Sequence, residues 1–146
     1  WDLGVGVWFE GSWIRKSKNI GPLTNQELLS VGTDYTFNIG EGLKVVYEQM
    51  LASSDEKAFT FSNNALFSAL SFNYPVGIVD NISAIIYFDW INKVTYNFVN
   101  WNHQFTRFSL YVMAYLNPEN YNLPQQGSSG NMYSKQVLQF MLVYNH

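Results

Sequence analysis

The chain has 146 residues, no cysteine and a formal net charge of −3, which fits one domain and excludes a disulfide framework, thiolate metal sites and a basic nucleic-acid-binding surface. Charged residues make up only 13% of the chain and aromatic residues 18%, whereas soluble domains average about 25% charged residues. No apolar run reaches the roughly 18 residues of a transmembrane helix. The remaining classes are a soluble β-protein and a membrane β-barrel.

Alternation of apolar and polar residues with a period of two predicts about eight β-strands in one domain over 1–146. In the first strand, Val5, Val7 and Phe9 share one face while Gly6 and Glu10 share the other. The sixth strand has the weakest pattern, so the segment 92–104 is either a strand or a single loop. The predicted strands cover 3–13, 29–39, 43–51, 66–74, 82–90, about 94–98, 106–116 and 136–144.

One face of these strands is apolar and uncharged over its whole predicted length. Its exceptions are Gly11, Thr33, Gln49 and Ser68. In the sixth strand, we assign Val94, Tyr96 and Phe98 to this face. A charge facing hydrocarbon costs about 2–4 kcal/mol at the membrane midplane. A face that contacts lipid is therefore expected to lack charged residues, as this face does. The sequence therefore predicts an all-β fold, an antiparallel up-and-down transmembrane β-barrel.

The opposite face is expected to line the lumen. It combines charged residues with large aromatic residues that can fill an eight-stranded barrel or stack on a sugar or nucleoside. This face contains few Lys and Glu residues for a solvent surface, which counts against a soluble sandwich or lipocalin-like barrel. The lumen-facing candidates are Glu10, Asp34, Lys44, Glu48, Asp89, Arg107, Lys135, Trp8, Trp101, Tyr87, Tyr111 and Tyr115.

The last ten residues resemble the terminal assembly signal of bacterial outer-membrane β-barrels. Leu138, Phe140, Leu142 and Tyr144 stand at the alternate positions of that signal, although His146 replaces the usual final Phe. The chain is thus similar to small OmpA-like or OmpX-like barrels, or to the C-terminal part of a larger porin-like barrel. The resemblance implies a location in the bacterial outer membrane with the C-terminus periplasmic. It implies membrane lipid and the barrel-assembly machinery as partners.

The segments between strands predict the topology. In this family, periplasmic turns are short and outer loops are longer. With both ends periplasmic, the expected outer loops are 16–28, 52–65, 91–93 and 117–135. The expected periplasmic turns are 40–42, 75–81 and about 99–105.

Three functions follow from this fold. The first is a passive pore or an envelope-structural barrel, with Arg107 paired to Asp89 or another inward carboxylate in a plugged lumen, or solvated in an open one. The second is an accessory or binding subunit whose outer loops contact a protein partner in the outer membrane. The third is a lipid-modifying enzyme using His103 and Ser109, which we disfavour because Ser109 is expected to point to the lumen whereas His103 is expected in a turn at the rim. We assign no catalytic residue, metal ligand, cofactor or nucleic-acid partner.

Overall fold

A computed structural model of the chain describes residues 4–118 and 135–145, which form one antiparallel sheet. One short 3-10 turn, Gly21–Leu23, precedes the second strand. No helix in this part of the chain is long and apolar enough to cross a membrane. The strands are β1 (Gly6–Arg15), β2 (Asn25–Phe37), β3 (Leu43–Asp55), β4 (Asn64–Pro75), β5 (Asp80–Asp89), β6 (Val94–Gln104), β7 (Phe108–Leu116) and β8 (Gln136–Tyr144).

The strand order is β1 through β8 in sequence, and every consecutive pair is antiparallel. This confirms the predicted all-β, eight-stranded, up-and-down arrangement, and it places a strand in the segment 92–104. The sheet is not closed into a barrel, because among the described residues β1 pairs only with β2 and β8 only with β7. The two outer edges of the sheet are therefore β1 and β8.

Connections of two kinds alternate between the strands. Those at one end of the sheet, the loop end, are residues 16–24, 56–63, 90–93 and 117–135. Those at the other end, the turn end, are residues 38–42, 76–79 and 105–107. Three of the four loop-end connections are longer than any turn, as predicted. The turn expected at about 99–105 was misplaced, because β6 continues through those residues to Gln104.

The cross-strand register divides the strands into two faces. The apolar face contains the odd positions of β1, β2 and β3, which the pairs Phe9↔Val31 and Thr33↔Tyr47 bring side by side. The polar face contains the alternate positions, such as Glu10. The apolar face continues through the even positions of β4, β5, β7 and β8 and the odd positions of β6.

The distribution of burial is the reverse of a soluble domain. Among the described residues, Tyr96 is the one buried hydrophobic residue, and no side chain is less than 2% exposed. On the apolar face, Val7 is 73% exposed and Phe140 is 64% exposed. Their neighbours on the polar face, Trp8 and Gln139, are less exposed and count as half-buried. The apolar face is therefore the more exposed of the two at these positions.

The register of β6 differs from the prediction. Tyr87 pairs with Tyr96 and Asp89 pairs with Val94, so Val94, Tyr96 and also Phe98 lie on the polar face. Trp101, predicted in the lumen, lies on the apolar face. The reason is the four-residue connection 90–93, because the parity of a turn decides which face each residue of the next strand occupies.

Candidate functional site

The polar face of β1, β2 and β3 carries a charged zone made of four predicted lumen residues: Glu10, Asp34, Lys44 and Glu48. Lys44 Nζ lies 3.2 Å from Asp34 Oδ2. The hydroxyl of the buried Ser30 donates a hydrogen bond to Glu48 Oε1. One of the three acidic groups in this zone is therefore paired with a cation, and the zone as a whole is negative.

Two glycines allow large side chains to lie against the sheet in this zone. A Cβ atom at Gly32 would stand 2.2 Å from the Trp8 ring, and one at Gly6 would stand 2.0 Å from Asp34 Oδ1. Trp8 therefore packs directly on the Gly32 backbone. Its position on the polar face is the one predicted.

Apart from Asp89 at the loop end, the polar face of β4 to β8 is an uncharged zone that is rich in aromatic and amide side chains. Tyr87 and Tyr111 lie on it, as predicted, and Tyr115 packs on Phe98 with ring centroids 4.9 Å apart. The Asn73 and Asn81 amides exchange two hydrogen bonds, of 3.0 and 3.2 Å. The described part of the polar face thus divides into a charged half and an aromatic–amide half.

Two of the predicted lumen residues lie outside the strands, and a third, Asp89, lies on the polar face at its loop end. Arg107 lies in the turn 105–107, since β7 begins at Phe108, and Lys135 lies just before β8. Asp89 ends β5 at the loop end, where its carboxylate accepts hydrogen bonds from the Ile91 and Asn92 backbone N–H groups and from the Asn92 amide. The expected pairing of Asp89 with Arg107 is wrong, because the two residues lie at opposite ends of the sheet.

Four polar groups on the apolar face satisfy one another. Ser68 Oγ donates to Gln49 Oε1 at 2.6 Å and accepts from Trp90 Nε1 at 2.7 Å. Tyr47 Oη donates to Gln49 Oε1 at 2.9 Å. The Gln49 amide nitrogen donates to the Phe67 carbonyl oxygen at 2.8 Å. Gln49 and Ser68, both exceptions in the apolar pattern, thus form the centre of a connected network.

A polar cluster at the loop end of the apolar face was missed from the sequence. Asn25, Glu27 and Asp55 are each less than 9% exposed and occupy outward positions of β2 and β3. Arg15 pairs with Asn25 in the register of β1 and β2. The predicted absence of charge therefore holds for the middle of the apolar face and fails at its rim. The available signal was parity, because Glu27 stands two residues before Leu29.

The loop 56–63 covers this cluster. The Phe59 backbone N–H donates to Glu27 Oε1 at 3.1 Å, and the Ser62 backbone N–H donates to Asp55 Oδ2 at 3.0 Å. The Asn25 amide donates to the Glu56 carbonyl oxygen at 2.8 Å. Glu27 Oε2 is buried and has no hydrogen-bond partner in the described structure.

At the turn end of the apolar face, the Asp80 carboxylate contacts the side chains of His103 and Trp101. Its Oδ1 lies 2.8 Å from His103 Nδ1 and accepts a hydrogen bond of 3.0 Å from Trp101 Nε1. His103, expected in a turn, is part of β6. Ser109 pairs with Gln104 and so lies on the opposite face from His103. The fold does not bring the histidine and serine of the enzyme hypothesis together.

The predicted assembly signal lies on one face of the edge strand β8, as its alternation requires. Leu138, Phe140, Leu142 and Tyr144 share the apolar face, and His146 lies outside the described residues. No group of three or more His, Asp or Glu side chains in 4–118 and 135–145 is arranged to hold a metal ion. No protein-family model, curated protein or solved structure matches the chain.

Proposed function

We propose that this sheet is a lipid-exposed wall of a bacterial outer-membrane β-barrel, whose polar face lines a passive passage for polar solutes. The observation that carries the proposal is the exposure of the apolar face: large side chains such as Val7 and Phe140 project outward and are mostly exposed, whereas Ser30 and Ser109 on the opposite face are buried. Such an arrangement needs an apolar solvent on the outside.

Water is a poor solvent for the apolar face. Val7, Phe9, Phe140 and Leu142 are each more than 60% exposed, and each forgoes much of the roughly 1.5–3 kcal/mol that full burial of such a side chain supplies. Exposed apolar patches beyond a few hundred Å² mark protein or membrane contact surfaces. Lipid supplies the missing burial along every strand at once.

The dimensions of the apolar face fit a bilayer. The strands are 9 to 13 residues long, and tilted membrane strands need about 9–11 residues. From Leu29 to Phe37 the apolar positions of β2 extend roughly 27 Å at about 3.4 Å per residue. A tilt of about 40° reduces this to roughly 21 Å of height, close to the apolar band of about 25 Å in outer-membrane barrels.

The polar groups of the apolar face also support a membrane setting. Hydrocarbon offers no hydrogen bonds, so each polar group exposed to it must find a partner within the protein. The network of Tyr47, Gln49, Ser68 and Trp90 meets that requirement.

The open edges of the sheet favour the larger of the two barrels that the sequence resembles. β8 contains no proline and no charged residue, and these are the usual features that prevent an edge strand from pairing. We therefore propose that further antiparallel strands pair with β1 and β8 and complete a barrel of more than eight strands. A wider barrel leaves room for water along the polar face.

Reconstitution tests this function. The protein that contains this sheet, refolded with the strands that complete the barrel, should float with lipid vesicles, resist extraction at alkaline pH and remain rich in β-structure by circular dichroism. A chain that is monodisperse and folded in detergent-free buffer would contradict the membrane assignment. Planar-bilayer recordings then separate the roles: discrete ion currents support the passage, whereas silent, membrane-inserted protein supports an envelope-structural wall.

A further inference from the structure

The connections 16–24 and 56–63 fold together at the loop end, and we call them the loop-end cap. The Asn19 amide donates to Glu56 Oε1 at 2.5 Å, and the Lys16 backbone N–H donates to the Thr24 carbonyl oxygen at 2.8 Å. The cap is tied to the sheet through the hydrogen bonds of Phe59 to Glu27 and of Ser62 to Asp55. It is therefore an ordered structure on the outward side.

The cap presents apolar side chains where the apolar face ends. Phe59 packs on Trp13 with ring centroids 5.5 Å apart, and Phe59 is 58% exposed. Ile20 and Leu23 are also more than half exposed. Trp13 lies two residues along β1 from Gly11, which pairs with Leu29, so these rings stand roughly 7 Å along the strand beyond that apolar row.

The backbone holds the aromatic rings of the cap in place. Phe59 has φ of 58° and Phe61 has φ of 53°, in the left-handed region that bulky residues rarely adopt. Such conformations persist where surrounding bonds fix them and are often functional. Here the Phe59 N–H is fixed by Glu27, a residue that is only 4% exposed.

The same region is basic on its exposed surface. Arg15, Lys16, Lys18 and Lys57 are exposed cations, whereas Glu56 is the one exposed acidic residue of 15–24 and 56–63. Aromatic side chains beside an apolar band, with cations just beyond it, fit the boundary between acyl chains and anionic headgroups.

We infer that the loop-end cap is a lipid anchor that binds the anionic headgroup layer of the surrounding bilayer and seals Asn25, Glu27 and Asp55 from the acyl chains. Phe59 and Trp13 lie at the acyl–headgroup boundary, and the four cations contact headgroup phosphates. The inference rests on the proposed membrane location of the sheet. It adds a lipid-contacting role to loops that otherwise project into water.

Site-directed spin labelling tests the depth of the cap, because the chain has no native cysteine. Single cysteines replace Phe59, Thr60, Ile86 and Glu41 in protein reconstituted in phosphatidylcholine–phosphatidylglycerol bilayers. Collision rates with oxygen report lipid contact, and collision rates with a water-soluble nickel chelate report water contact. Thr60→Cys keeps Phe59 in place, Ile86 marks the middle of the apolar face, and Glu41 marks a turn in water.

We expect the Ile86 label to show high oxygen and low nickel accessibility and the Glu41 label to show the reverse. The labels at Phe59 and Thr60 should lie between them, with nickel accessibility below that of Glu41. Cap labels indistinguishable from Glu41, with a lipid-exposed Ile86 label, would overturn the anchor alone. An Ile86 label that resembles Glu41 would overturn the proposed membrane wall as well.

A second measurement tests the headgroup contact. The thermal midpoint of the native chain should be higher in vesicles containing phosphatidylglycerol than in pure phosphatidylcholine. Replacing Lys16, Lys18 and Lys57 together by Gln should reduce that difference strongly, leaving only the contribution of Arg15, whereas Lys44→Gln on the polar face should preserve it. Equal midpoints for the native chain in the two lipids, or an unchanged difference in the triple variant, would refute headgroup binding by the cap.

Discussion

Introducing a charge on each side of a single strand tests the assignment of the two faces. Ile86 lies on the apolar face of β5 between Leu70 and Asn97, and the adjacent Ile85 lies on the polar face between Ser71 and Phe98. Ile86→Arg places a guanidinium near the middle of the proposed lipid-facing band. Ile85→Arg makes the same chemical change one residue away, toward the proposed interior.

The expected loss of stability in Ile86→Arg differs enough to show whether the apolar face meets lipid or water. An arginine facing the bilayer midplane costs about 2–4 kcal/mol, which is roughly a 30- to 900-fold loss in the folding equilibrium constant at about 1.36 kcal/mol per tenfold. If the apolar face met water, replacing this 37% exposed side chain would reduce the stability by no more than about 0.5 kcal/mol. Ile85→Arg should be milder than Ile86→Arg, because its charge can remain hydrated on the polar face.

Urea titration in lipid vesicles, followed by tryptophan fluorescence, measures both variants against the native chain. A shift of the midpoint with an unchanged denaturant slope reports a change of stability alone. Equal losses for Ile86→Arg and Ile85→Arg, or a loss below about 1 kcal/mol for Ile86→Arg, would refute the assignment of faces and the lipid setting argued from it.

Five other substitutions probe the register, the close contacts and the polar network. Val99→Arg on the apolar face should destabilise the chain by about 2–4 kcal/mol and Phe98→Arg on the polar face by less. The opposite order in the same titration would mean that Phe98, as the sequence predicted, faces lipid. Gly32→Ala should cost about 1–3 kcal/mol by displacing the indole packed against it, whereas Gly11→Ala, whose new methyl meets a leucine at an ordinary 3.4 Å, should change the urea midpoint little. Ser68→Ala should cost about 1–3 kcal/mol by leaving the Trp90 Nε1–H without its acceptor on a face that meets hydrocarbon, and an unchanged midpoint would mean that the network contributes nothing.

The sequence predicts the strands well because alternation is a strong signal wherever the two faces differ in polarity. In β7 the outward positions Leu110, Val112 and Ala114 alternate with Ser109 and Tyr111, so the face of each residue follows at once. The number of strands and the alternation of long and short connections follow from this signal.

The signal fails in β6 because both faces contain apolar residues. Tyr96 and Phe98 alternate with Val99 and Trp101 along one strand, so either parity gives a partly apolar face. The register is decided instead by pairing with β5, where Ile85 lies opposite Phe98. Pairing is a tertiary property that the local pattern does not contain.

The ends of the strands were also hard to predict from the sequence, because polar residues occupy the outward positions there. β2 begins at Asn25 and β3 ends at Asp55, whereas the apolar pattern begins at Leu29 and ends at Leu51. A pattern search stops where polarity changes, although the ladder of hydrogen bonds continues. For this reason the sequence did not predict the polar cluster beneath the loop 56–63.

Two of the three polar clusters on the apolar face differ in the way that a membrane boundary requires. The network around Ser68 lies within the band, and its Tyr, Gln, Ser and Trp groups are neutral and bonded to one another. The cluster around Glu27 contains carboxylates, and it lies at the rim under the loop 56–63. Neutral polar groups inside hydrocarbon need only internal hydrogen bonds, whereas charged groups cost several kcal/mol unless they are shielded or lie near the headgroups. The placement of each kind of group at the depth it tolerates supports the proposed lipid contact independently of the exposed apolar area.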